Sequence, residues 1–84
     1  MLAVMAAAAL LLTAPAKIFG AKDVVPISEV PAEVVAAVQT YAPGAVIVSA
    51  ERETEHGEVE YDIEYTINGV KEDLDVAPDG TIVD

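Results

Sequence analysis

The sequence predicts an α+β domain in which one N-terminal helix packs on a three- to four-stranded antiparallel β-meander. An apolar pattern of helical spacing begins after Pro31 and stops before Gly44. Residues 58–67 then alternate strictly between apolar and polar side chains, and Asn68-Gly69 follows them. Alternation has the period of a strand, and Asn-Gly between two apolar runs is a strong signal for a tight hairpin.

The first sixteen residues are typical of a cleaved signal peptide. Residues 2–12 form an uninterrupted apolar run, which as a helix would cover about 17 Å of a hydrocarbon core about 30 Å thick. Ala14-Pro15-Ala16 has the small-x-small pattern that signal peptidase accepts, although no Lys or Arg precedes the run. We expect a periplasmic or secreted protein that leaves the membrane after cleavage of residues 1–16. The alternative is a membrane-associated or buried N-terminal helix.

Acidic side chains dominate the remainder of the chain. The sequence has 15 Asp and Glu against 4 Lys and Arg, a net charge of −11, and twelve of these acids lie in residues 51–84. This charge repels phosphate backbones, so nucleic acid and anionic lipid are not expected as partners. Cationic proteins, cationic peptides and divalent metals remain. The absence of cysteine excludes disulfides and thiolate sites.

The exported part is expected to form one domain. Residues 17–29 are interpreted as a linker with a short edge strand at residues 24–27, where Pro26 allows only an edge position. Residues 30–84 are expected to form a single domain. Its helix of about eleven residues carries an apolar stripe that consists of Val34, Val35, Val38, Tyr41 and Ala42. A helix this short is unstable alone in water, so it needs a sheet to lie on.

Turns at His56-Gly57 and Asn68-Gly69 define the register of the three strands that follow. A short fourth strand is expected at residues 81–83. The second turn pairs apolar side chains on the inner face: Ile67 with Val70, Ile63 with Leu74, and Tyr61 with Val76. The first turn also gives inward pairs: Ile67 with Val46, Tyr65 with Val48, and Ile63 with Ala50. A slip of one residue would turn every side chain over, so the agreement of the two turns supports this register.

The same register predicts an acidic face on the opposite side of the sheet. We call the following nine carboxylates the acidic face: Glu51, Glu53, Glu55, Glu58, Glu60, Asp62, Glu64, Asp73 and Asp75. Lys71 is the only base expected to point outward with them, because Arg52 falls on the inner side opposite Tyr61. Like charges directly opposite one another are unfavourable by roughly 0.2–1 kcal/mol per pair.

Three interpretations of the acidic face follow. It is a solvated surface that keeps the protein soluble, a docking surface for a cationic partner, or a loose site for a divalent ion. The candidate partner-binding residues are Glu51, Glu60, Asp62, Glu64, Asp73 and Asp75. No metal-ligand set is assigned, since the Asp73 to Gly80 stretch has Pro78 where a calcium-binding loop needs glycine.

Catalysis is not expected from this sequence. His56 is the only histidine and falls at a turn. The paired carboxylates are expected on a convex surface without a pocket that could raise a pKa. No glycine-rich phosphate loop is present. The sequence therefore predicts a non-enzymatic protein without a cofactor.

Several short motifs occur in the order found in a known family. Val30-Pro31 opens the helix and Tyr41-Ala42-Pro43-Gly44 closes it; the strands contain Tyr61-Asp62-Ile63-Glu64-Tyr65, Asp73-Leu74-Asp75-Val76 and Asp79-Gly80-Thr81-Ile82. Over residues 24–84 the chain resembles the PepSY-like domains, and its sheet is similar in shape to a β-lactamase inhibitor protein. The resemblance implies an exported module that inhibits or regulates a secreted peptidase. Many members have tandem copies or an attached peptidase, and this chain has neither, so its partner would be a separate molecule.

Overall fold

A four-stranded antiparallel sheet with one helix on its inner face forms the structure of residues 21–84, the part of the chain described by the computed structural model. The strands lie in chain order: β1 (Ala21–Val25), β2 (Val46–Glu55), β3 (Glu58–Ile67) and β4 (Val70–Val76). A 3-10 turn (Ile27–Glu29) and helix α1 (Ala32–Tyr41) connect β1 to β2. The predicted α+β fold class is confirmed. The predicted signal peptide lies outside the described residues.

The edge strand β1 lies earlier in the chain than the sequence indicated. It was expected at residues 24–27 and is found at Ala21–Val25, paired with the second half of β2. Pro26 has no N–H with which to continue the ladder, so the strand ends before it and the 3-10 turn follows. The stretch that the sequence indicated as linker therefore contributes one strand of the sheet.

The predicted fourth strand at residues 81–83 is not a full strand. It forms one isolated β-bridge, between Val76 and Ile82, and a few backbone hydrogen bonds along β4. Pro78 and the turn that ends at Gly80 return the chain to β4 for a short distance only. The fourth strand of the sheet is β1, which precedes the helix.

The predicted register is confirmed between β3 and β4 and through most of the pairing between β2 and β3. It is wrong beyond Val48, because a β-bulge between Ile47 and Ser49 inserts one extra residue into β2. Tyr65 therefore pairs with Ile47 rather than Val48, and Val46 pairs with Thr66 rather than Ile67. The bulge turns Ile47 toward the core and leaves Val46 63% exposed.

The core lies between α1 and the inner face of the sheet. Val34 and Val38 of the helix and Ile63 of the central strand β3 are each 0% exposed. Tyr41 was predicted to belong to the helical stripe, but it is the last helical residue and is 58% exposed. Ala42, one residue further, fills the buried position at the end of α1 because it follows Val38 by one helical turn.

Candidate functional site

The acidic face has the cross-strand rows that the sequence predicted. Glu51 lies opposite Asp62, and Asp62 lies opposite Asp75, so three carboxylates form one row across β2, β3 and β4. Glu64 lies opposite Asp73 in the next row. Neighbouring strands are about 4.8 Å apart, so these charges are held close together by the backbone pairing itself.

A concave depression of about 340 Å³ lies on this face, where the sequence predicted a convex surface without a pocket. It is lined by Ser49, Glu51, Asp62, Glu64, Lys71, Glu72 and Asp73. The β-bulge in β2 adjoins the depression. Bulges bend a strand and increase its twist, and a register of paired residues does not include this curvature.

The structure divides the six predicted partner-binding residues into two groups. Four of them line the depression: Glu51, Asp62, Glu64 and Asp73. Asp75 lines a separate, smaller hollow of about 130 Å³ near the end of the chain, together with Asp73, Leu74 and Asp84. Glu60 lines neither hollow. The geometry therefore centres the candidate site on β2 and β3 and on the start of β4.

Lys22 is a second base on the acidic face, where the sequence predicted Lys71 alone. Its Nζ lies 3.5 Å from Oε1 of Glu51 and 3.7 Å from Oδ2 of Asp62. The carboxylates of Glu51 and Glu53 raise the pKa of Lys22 above its usual value. Residues 21–25 carry no alternating pattern that would signal this contact, and only the pairing of β1 with β2 shows that Lys22 faces these acids.

Polar contacts hold Glu64 in place within the depression. The hydroxyl of Ser49 donates a hydrogen bond to Oε1 of Glu64 at 3.1 Å. Nζ of Lys71 lies 3.5 Å from Oε2 of the same carboxylate. Both oxygens of Glu64 thus have a partner, which orients this side chain while its negative charge is only partly offset.

Asp75 is the carboxyl whose charge the fold tolerates least. Its partial burial, followed in order by the negative charges of Asp62, Glu60, Asp84 and Glu53, raises its pKa from 3.8 to about 6. It belongs to none of the ion pairs of residues 21–84. The acidic face is therefore electrostatically strained at one position.

The inner-facing base and the single histidine lie outside this site. Arg52 is opposite Tyr61, as predicted, and its Nη2 lies 3.8 Å from Oδ2 of Asp23 on β1. His56 is exposed in the turn between β2 and β3, with φ of 54°, and lines neither hollow.

The carboxylates of the described chain are not arranged as a metal centre. Within residues 21–84, no group of three or more His, Asp or Glu side chains is placed so that it could hold an ion. In the same residues, no helix is both long enough and apolar enough to cross a bilayer.

These features define a small α+β domain with a depression on its acidic face. Comparison of the chain with protein-family models, with curated proteins and with solved structures finds no match. The resemblance to PepSY-like domains therefore stays a prediction from the motifs.

Proposed function

We propose that this protein is a small exported interaction module that binds a cationic segment of another protein through the depression on its acidic face. The observation that carries the proposal is the convergence of Glu51, Asp62, Glu64 and Asp73 on one concave surface. A concave surface encloses a ligand's side chain on several sides, which a flat solvated sheet does not.

Electrostatics favours a cationic partner over any other class. Lys22 and Lys71 contact three of the nine carboxylates of the acidic face, which leaves an excess of negative charge there. Such a field attracts cationic groups and accelerates their association at low salt. A Lys or Arg side chain that enters the depression would replace cross-strand repulsion with attraction.

The motif resemblance makes a secreted peptidase the first partner class to examine. In this proposal the module is exported, and it inhibits or regulates a peptidase that carries a basic patch or a basic loop. Export predicts that the mature chain begins at Lys17, which N-terminal sequencing of the protein recovered from the periplasm or medium of a bacterial culture would check. A mature protein that retains residues 1–16 would contradict export by cleavage.

A peptide titration tests binding to the acidic face directly. The probe is a synthetic peptide of alternating lysine and valine. Its binding is measured from the chemical-shift changes of the protein's backbone amides. The test variant carries Glu51→Gln, Asp62→Asn, Glu64→Gln and Asp73→Asn. We expect the peptide to shift amides around the depression in the wild type and to bind this variant at least tenfold more weakly.

A second variant with the same loss of charge serves as the control. It carries Glu29→Gln, Glu33→Gln, Glu55→Gln and Glu58→Gln, none of which lines the depression. Retained binding by this variant supports a local site. Equal weakening of both variants would mean that bulk charge alone attracts the peptide, and unchanged binding by the test variant would reject the depression as the site. The same pair of variants then serves in pull-downs from periplasmic extract to identify a peptidase.

A further inference from the structure

The last four residues of the chain run back along β4 and hydrogen-bond to its backbone. We call residues 81–84 the C-terminal strap. The N–H of Asp75 donates to the carbonyl of Asp84 at 2.9 Å, and the N–H of Val83 donates to the carbonyl of Asp75 at 2.8 Å. The N–H of Ala77 donates to the carbonyl of Thr81 at 2.8 Å. The strap thus pairs backbone groups at the edge of the sheet.

The strap is held by these hydrogen bonds, by one more from the Thr81 amide to Oδ1 of Asp79 at 2.9 Å, and by the partial burial of Ile82. All four of its residues are exposed, including Ile82 at 41% and Val83 at 50%. A segment with few buried apolar contacts opens at a small cost in free energy, independently of global unfolding. A modest change in local electrostatics can therefore shift the balance between the docked and the open strap.

Docking of the strap places Asp84 beside Asp75, a carboxyl that other charges already surround. Both residues line the same small hollow of about 130 Å³. The titratable and charged groups around Asp75 come from four elements: Asp62 and Glu60 on β3, Glu53 on β2, Lys22 on β1, and Asp84 on the strap, with Asp73 on its own strand. The one base among them, Lys22, contacts Asp62 and Glu51 rather than Asp75.

We propose that the C-terminal strap is a pH-dependent latch whose docking on β4 strengthens when Asp75 is protonated. Proton binding at Asp75 and docking of the strap are reciprocally linked. Burial and the charge of Asp84 are both among the causes that raise the pKa of Asp75 toward about 6. If a docked strap makes Asp75 hold its proton more tightly, then a proton on Asp75 must make the strap dock more tightly by the same factor.

The latch operates between neutral and mildly acidic pH. At pH 7 Asp75 is charged and repels Asp84, so the strap opens more often. Near pH 5 Asp75 is neutral and this repulsion is gone. Because the strap causes only part of the raised pKa, we expect its docking constant to rise roughly 3- to 10-fold between pH 7 and pH 5. This inference does not depend on the proposed binding of a cationic partner.

Amide hydrogen exchange resolved by residue measures the opening of the strap. The readouts are the protection factors of the Asp75, Ala77 and Val83 amides, each corrected for intrinsic exchange at its pH. The amide of Ile63, which is fully buried in the central strand β3, serves as an internal reference for global opening. We expect protection at β4 and the strap to rise 3- to 10-fold relative to this reference when the pH is lowered from 7 to 5.

Two variants separate the latch from a general response to acid. Asp75→Asn should keep the strap docked equally at both pH values. Glu58→Gln, which removes a carboxylate of the acidic face at the far hairpin, should behave as the wild type. A wild type without the rise, or an Asp75→Asn variant that shows the same rise, would overturn the proposal.

A reciprocal measurement closes the test. Asp84→Asn removes the side-chain charge that the strap places beside Asp75, so it should lower the pKa of Asp75 measured by carbon-13 titration of its carboxyl. An unchanged pKa would contradict the coupling on which the latch depends.

Discussion

Asp62 and Asp75 lie directly opposite each other on β3 and β4, but only Asp62 has a base beside it. Lys22 reaches Asp62 from the far edge of the sheet, across β2. Asp75 takes part in none of the ion pairs of residues 21–84, and its partial burial and the surrounding acids raise its pKa to about 6. A charge network of this kind makes the stability of the fold depend on pH in an unusual direction.

Stability should rise as the pH falls through the pKa of Asp75. The folded carboxyl binds its proton up to about pH 6, whereas the unfolded one releases it above about 3.8. The folded state therefore holds more protons in this window, and acidification favours it. Below pH 3.8 both states are protonated and the contribution of Asp75 is constant.

Asp75→Asn should raise the free energy of unfolding at pH 7 by about 1 kcal/mol, which is less than the full shift implies because solvent screens a partly exposed site. Urea unfolding at pH 7 and pH 4.5 measures the difference between variant and wild type. We expect this difference to shrink toward zero at the lower pH. A difference that stays the same at both pH values would contradict the raised pKa as its origin.

Gly80→Ala should destabilise the fold by about 2–3 kcal/mol, the sum of a left-handed backbone and a close contact. Gly80 has φ of +93°, and a Cβ there would lie 2.9 Å from the carbonyl oxygen of Glu33 in the first turn of α1. Gly44→Ala is the matched control, because Gly44 has φ of +89° with no atom within 4 Å of its Cβ position. It should cost only about 1 kcal/mol. Equal losses in the two variants would show that the contact with Glu33 is irrelevant.

Ile63→Ala should cost about 2–5 kcal/mol, since it removes a fully buried side chain from the central strand and leaves a cavity under α1. A loss of this size is comparable to the whole stability expected of so small a domain, so the variant should be largely unfolded at room temperature. Ile82→Ala removes the same atoms from a residue that is 41% exposed and should retain the fold. Circular dichroism and thermal unfolding compare the two, and a cooperative transition in Ile63→Ala at the wild-type temperature would refute this view of the core.

Lys22→Gln should lower the thermal midpoint of unfolding at low salt, because Glu51 and Asp62 then repel each other without a base between them. The pair lies at the surface, so the effect should be small and should vanish near 1 M salt, where the Debye length is about 3 Å. Lys71→Gln is the control, because Lys71 contacts Glu64 alone and does not separate two carboxylates. It is preferred to Asp79→Asn, since Asp79 accepts a hydrogen bond from the Thr81 amide at 2.9 Å. If the difference in thermal midpoint between Lys22→Gln and the wild type did not change with salt, the ion pairs would not be its cause.

Much of the fold follows from short-range patterns in the sequence. The alternation of residues 58–67 identifies β3, and Asn68, found at φ of 52°, defines the hairpin to β4. These patterns work because a tight turn and a period of two together define which side chains share a face. The rows of the acidic face could therefore be predicted.

Three of the differences between prediction and structure share one physical cause. β1, the bulge at Val48 and the C-terminal strap all depend on backbone hydrogen bonds between segments that are distant in sequence or irregular in register. Backbone groups are the same at every residue, so side-chain patterns carry little information about such pairings. The partners of Lys22 could not be identified until the strand on which it lies was placed.

By itself, then, the sequence determined the fold class, the inner and outer faces of β3, β4 and the part of β2 that follows the bulge, and the concentration of acids on the outer face. Only the tertiary structure decided that part of the acidic face forms a depression, that Lys22 offsets Glu51 and Asp62, and that Asp75 is left without a base beside Asp84. The reason is that periodicity specifies the direction of each side chain within its own strand. Curvature and the balance of charge depend on which distant segments come together at the edges of the sheet.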